Sequence, residues 1–136
     1  DVLPKNPRSK IIKLAISLEG IPYLWGGKSS FGYDCSGFVQ MVFKVAGINI
    51  ERDAGCQINN EFLKQIDYTK TKPGDLMFFM DGSKIVHVGI IIGDGLIIHS
   101  YGTITIDSII KQSTKYNNFI GNLNQVCMSI ENFIDN

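Results

Sequence analysis

Apolar positions along the first half of the chain recur at helical spacing. In the second half they fall into short runs punctuated by glycine and aspartate. Ile11, Ile12, Ala15 and Ile16, with Leu14 and Leu18 beside them, outline a helix closed by Gly20 and followed by Pro22. Residues 20–34 are rich in Gly, Ser and aromatics and read as an extended loop. Phe38 to Ala46 then resume a helical pattern that ends at Gly47. A short third helix is expected from Asp53, a good N-cap residue, through Ile58, Phe62 and Ile66.

Beyond Lys72-Pro73-Gly74-Asp75 the period changes. Leu76–Met80, Val86–Ile92, Leu96–Tyr101 and Ile104–Ile106 are β-branched or aromatic runs, and Val126–Ile130 adds a last one. The polar stretch 111–118 reads as a surface loop. Helices first and strands second predict an α+β fold, its N-terminal helices packed on a mostly antiparallel sheet. At 136 residues, with no repeat or linker, a single domain over 1–136 is expected.

Composition narrows the function. Hydrophobic content is 44%, charged content 19% and formal net charge zero, so nucleic acid is not the expected partner. Lys5, Arg8, Lys10 and Lys13 read as a solvated helix face. The longest apolar runs fall far short of a membrane span. Asp1 opens the chain without a signal-peptide pattern, and a mature or excised form would have lost one. Of three cysteines at least one must be free, and no spacing suggests a zinc site, so no metal or cofactor is expected. Cys127 falls in the terminal strand pattern as a core residue, and Cys56 reads as an inert buried thiol near the functional groove.

Cys35, in Asp34-Cys35-Ser36-Gly37-Phe38, stands where loop chemistry gives way to a helix. The N–H groups of a helix N-terminus favour thiolate over thiol, so a lowered pKa and a nucleophilic role are expected. Such a nucleophile needs a base, and the base needs an orienting group. Only two histidines exist, His87 and His99, on either side of the hairpin signal Gly93-Asp94-Gly95. A two-residue turn would put them on opposite sheet faces. A three-residue turn, or a bulged equivalent, would set His99 opposite Gly89 and put both rings on one face, Cα atoms about 7–8 Å apart. The second register is expected, with His87 as base and His99 accepting a hydrogen bond from its Nδ1–H.

These residues resemble the NlpC/P60 family of papain-like cysteine peptidases. The likeness rests on Pro22-Tyr23-Leu24-Trp25-Gly26-Gly27, Asp34-Cys35-Ser36-Gly37-Phe38, Arg52-Asp53-Ala54, Pro73-Gly74-Asp75-Leu76, His87-Val88-Gly89-Ile90 and Gly93–His99, in family order. The resemblance implies the papain-like NlpC/P60 fold and hydrolysis of peptidoglycan stem peptides. The bond cleaved would join γ-D-glutamate to meso-diaminopimelate or lysine, through a thioester acyl-enzyme. It implies Cys35 as nucleophile, His87 as base, His99 as third residue, and the Tyr23 hydroxyl with the Cys35 N–H as oxyanion donors. Asp34, Ser36, Arg52, Asp53 and Trp25 would line the substrate groove. In members that prefer a free N-terminal L-Ala, the residue matching Asp34 holds the amine. Ala54 departs from the serine common there, removing one contact. The resemblance further implies a peptidoglycan or muropeptide partner and a secreted, periplasmic or envelope location, or cytoplasmic recycling; a monomer is expected. A papain-like amidase or acyltransferase acting on another substrate is the alternative.

Overall fold

The computed structural model describes residues 6–22, 28–29 and 32–134. Tyr23 and Trp25 lie outside the described residues, as does Lys5. Helix α1 (Pro7–Ser17) begins with proline at its first position and Asn6 as cap, whose side chain accepts from the Arg8 N–H. A two-stranded hairpin follows, β1 (Lys28–Ser29) with β2 (Gly32–Tyr33), inside the segment expected to be loop. Helix α2 (Cys35–Val45) is capped by Asp34, whose carboxylate accepts from the Gly37 N–H at 2.6 Å. Its side chains Phe38, Val39, Val42 and Phe43 are fully buried.

The expected third helix shrinks to one turn, α3 (Ala54–Gln57), capped without a side-chain bond from Asp53. Ile66 belongs instead to strand β3 (Lys64–Ile66). Next come β4 (Leu76–Asp81), β5 (Lys84–Gly93), β6 (Leu96–Tyr101) and β7 (Thr103–Ser108), then the short helix α4 (Asn118–Gly121), β8 (Asn124–Ser129) and α5 (Glu131–Ile134). They form one antiparallel sheet in the order β3-β8-β4-β5-β6-β7. The fold class is thus α+β, helices on a mostly antiparallel sheet. Among the described residues no helix is long and apolar enough to cross a membrane.

Both sheet faces are buried. Phe78, Val88, Ile90 and Ile98 pack with α1 and α2 in the larger core. Met77, Phe79, Ile91 and Ile97 pack on the other side with Ile120 of α4. The stretch 111–118 is therefore not only a surface loop: its end starts the element that covers this second face. The outer edge of β7 is blunted by residues 20–22, through Gly20 N–H to Ile104 O (2.8 Å) and Ile104 N–H to Ile21 O (2.7 Å).

Arg8 does not belong to a solvated face. It is 12% exposed, bonded at 2.8 Å to Asp75, itself 1% exposed, and at 3.0 Å to Glu131. Asp75 also accepts from the backbone N–H groups of Ile130 and Lys72. This carboxylate clamps α1, the start of β4 and the end of β8 together.

The β5–β6 turn decides the geometry of the site. Gly93 pairs with Leu96, and Asp94 (φ 55°) and Gly95 (φ 78°) form a two-residue turn with both central residues left-handed. Taken alone, that turn would separate the histidines. A bulge at Ile92 absorbs one residue, because the next pair is Ile91 with Ile97. The bulged register therefore aligns Gly89 with His99, as parity requires for rings on one face. Gly89 is needed for closeness: a Cβ there would lie 2.9 Å from Ile97 Cδ1 and 3.1 Å from His99 Cβ. Gly89→Ala should cost about 1–3 kcal/mol by overpacking and reduce any activity that depends on His99. Urea denaturation beside a turnover assay checks this.

Candidate active site

Asp34, Cys35, Ser36, Arg52, Asp53, Val86, His87, Ser100, Tyr101, Gly102 and Phe119 line one cleft of about 650 Å³. Cys35 enters it at the first turn of α2, while His87 comes from β5 and Tyr101 from the end of β6. Val86 is the unpaired residue of a second bulge, where Phe79 faces His87 but Met80 faces Ile85. The bulge leaves Val86 unpaired and exposed at the cleft.

The two imidazoles touch. His87 Nε2 lies 2.7 Å from His99 Nδ1, and both rings are buried, His99 completely. The shared face is as expected, but the atom is not: His87 meets His99 through Nε2 rather than Nδ1. The chain continues past the third residue. His99 Nε2 is 2.8 Å from Asp107 Oδ2, and Asn117 Nδ2 donates to the same oxygen at 3.0 Å. Neither Asp107 nor Asn117 was singled out from sequence. Tyr101 stacks parallel on His99 with centroids 5.7 Å apart, and Phe119 meets His87 edge-on at 5.9 Å.

Protonation also departs from expectation. Burial pushes the Cys35 thiol above its ordinary value, and the nearby Asp34 charge adds to the rise. The backbone N–H groups of Val88, Ser36 and Cys35 oppose it in part. The helix N-terminus does not win, because desolvation penalises the thiolate more than these amides favour it. Burial pushes His87 down to about 3, and a positive charge on His99 would push it the same way. Both shifts favour the uncharged forms, a thiol on Cys35 and a neutral imidazole on His87.

On the opposite wall, Arg52 holds Asp34 in a two-pronged ion pair, Nη1–Oδ1 2.9 Å and Nη2–Oδ2 2.8 Å. It also donates to the Ser36 hydroxyl at 3.1 Å. Asp34 thus caps the helix and balances Arg52 at once, while Asp53 is exposed at the cleft. Cys56 is exposed rather than buried, because the one-turn α3 leaves it on the surface, and it does not line the cleft; Cys127 is buried with its thiol pushed up to about 11 by burial. All three thiols are free.

A family model described as the NlpC/P60 family matches residues 20–121, a span that contains Cys35, both histidines, Asp107 and Asn117. The chain belongs to the NlpC/P60 family. It is 42% identical over 99 residues to a γ-D-glutamyl-L-lysine dipeptidyl-peptidase of Bacillus subtilis strain 168, covering 71% of this chain and 33% of that protein. It superposes on an NlpC/P60 family protein from Bacillus cereus ATCC 10987 with TM-score 0.76 at 31% identity, over 91% of this chain and 40% of that one. The NlpC/p60 domain of the peptidoglycan hydrolase SagA matches with TM-score 0.72 at 28% identity, over 88% of this chain and 96% of that domain. The chain spans about a third of the length of the first curated relatives it matches. The NlpC/P60 match thus covers the cysteine helix, the histidine hairpin and every strand of the six-stranded sheet but β8.

Proposed function

We propose that this domain is a cysteine peptidase that hydrolyses the γ-D-glutamyl to diamino acid bond of peptidoglycan stem peptides at the cell envelope. The observation that carries the reading is the buried His87–His99 pair, whose His87 lines the same cleft as Cys35. The names of the relatives point to the bond.

In this mechanism the thiol is neutral until substrate arrives. Cys35 Sγ attacks the γ-carbonyl carbon while His87 Nδ1 takes its proton, so no charged pair has to persist in a dry cleft. The tetrahedral oxyanion is held by the Cys35 N–H and the Tyr23 hydroxyl. The C–N bond then breaks, and His87 returns the proton to the departing amine. Water attacks the thioester, His87 accepts one of its protons, the C–S bond breaks and the thiol is restored. His99 orients the base throughout.

Among the described residues Asp34 and Asp53 bring two carboxylates to the cleft against the single Arg52, an excess negative charge that suits the amine of an N-terminal L-Ala. Ser36 holds Arg52 and Arg52 holds Asp34 in place, and by the family resemblance Trp25 would contribute to the same groove. The test is mass spectrometry of products from L-Ala-γ-D-Glu peptides ending in lysine or meso-diaminopimelate, with and without N-acetylation. Cleavage after γ-D-Glu is expected, with acetylation lowering kcat/KM roughly tenfold, about 1.4 kcal/mol. Equal rates for both forms would remove the amine contact from Asp34. Hydrolysis of simple amides or acyl donors instead of the stem peptide would favour the amidase or acyltransferase reading.

A further inference from the structure

We propose that Asp107 and Asn117 are positioning residues that fix the proton arrangement of the base, leaving the His87 Nδ1 lone pair free to accept the thiol's proton. The proposal rests on the peptidase reading above. Its starting point is the orientation of one amide. Asn117 caps α4: its Oδ1 accepts from the N–H groups of Phe119 (2.9 Å) and Ile120 (3.4 Å). The oxygen is committed to the helix, so the amide cannot flip, and Nδ2 must point at Asp107 Oδ2.

From there each proton follows. The His99 and Asn117 hydrogen bonds hold the Asp107 carboxyl below the usual range, so it is ionised and can only accept. His99 therefore donates from Nε2. A neutral His99 ring then has only a lone pair at Nδ1, and His87 must place its hydrogen on Nε2 to fill it. What remains on His87 is the Nδ1 lone pair. The opposite tautomer would put a hydrogen there and remove the base. The turn that carries Asn117 is itself anchored beside β7, through Ser108 N–H to Lys115 O (2.8 Å) and Asn117 N–H to Ser108 O (3.1 Å). The same turn brings Phe119 against the His87 ring. One four-residue helix thus carries the start of the relay and one wall of the cleft.

The amide's orientation makes a distinctive expectation for Asp107→Asn. An asparagine there can still accept with its oxygen, provided a second donor selects that flip. Asn117 is that donor. Asp107→Asn should retain kcat within about tenfold, and Asn117→Ser, which keeps a capping hydroxyl but loses the donor, should also cost about tenfold or less. Together they should lose roughly 10³-fold or more, on the scale seen when a triad histidine takes the wrong tautomer. Asp107→Ala alone should lose about 10²–10³-fold in kcat with KM within a few-fold.

The readout independent of activity is ¹H–¹⁵N NMR of the histidine rings. In the unsubstituted chain both should carry hydrogen on Nε2 alone, and in the double variant His87 should shift to hydrogen on Nδ1. Nε2–H tautomers persisting on both rings in the double variant, or a doubly protonated His99 in the unsubstituted chain, would overturn the proposal. So would an additive kinetic loss. Should the unsubstituted chain fail to cleave stem peptides, the peptidase reading falls while the ring spectra still decide the relay. Should Asp107→Ala fail to fold, the two milder variants carry the test.

Discussion

Cys35→Ala is expected to lose on the order of 10⁴-fold or more in kcat on the stem peptide, at nearly unchanged stability. The size of the loss follows from the mechanism. Removing the nucleophile removes the acyl-enzyme route entirely, and only binding and oxyanion contacts remain. Among the described residues no other cleft group can substitute. The Ser36 hydroxyl is held by Arg52, and Ser100 is buried with its hydroxyl donating to Tyr33 O. Cys35→Ser should do little better, because a hydroxyl is a far weaker nucleophile with the same base. Cys56→Ala is the matched control, an exposed thiol outside the cleft, and should keep full activity. Product analysis by mass spectrometry under single-turnover conditions gives the answer, with thermal unfolding to confirm the fold. Full hydrolysis by Cys35→Ala would overturn the mechanism.

The residues that the chain's local pattern could place are those whose geometry is local. Asp34 caps α2 because a short carboxylate before a helical run meets the Gly37 N–H three residues on. His87 and His99 share a face because strand parity is a two-residue rule, and one bulge at Ile92 restores it despite a two-residue turn. Asp107 was within the same rule. His99 pairs with Thr105, so Asp107 is its diagonal neighbour on the same face, but the apolar run Ile104–Ile106 ended one residue short of it. Asn117 left no such trace, since the chain turns back from a polar stretch to reach Asp107. Arg8 and Asp75 are 67 positions apart, and nothing in the helix pattern separates a buried arginine from a solvated one. The thiol was misread for a related reason. The helix N-terminus is visible in sequence, whereas the desolvation that outweighs it comes from strands far along the chain.

Acid should loosen the fold through His87. Its ring is neutral in the native state, pushed down to about 3 chiefly by burial, against about 6.5 in the unfolded chain. Between those values the unfolded state binds one more proton, so stability rises with pH there. The contribution is fully present above pH 6.5 and is lost progressively as pH falls towards 3. At pH 5 the loss is about 2 kcal/mol, from a limiting slope of about 1.4 kcal/mol per pH unit. Urea denaturation from pH 4.5 to 7.5 measures it, and His87→Phe should flatten the curve by one proton's worth. Activity should behave differently. Because the free enzyme's base stays unprotonated well below pH 6, the acid limb of kcat/KM should lie below pH 5 for as long as the protein remains folded. An acid limb near 6.5, with equal stability slopes in the two proteins, would mean that the His87 ring charges as freely in the cleft as in water.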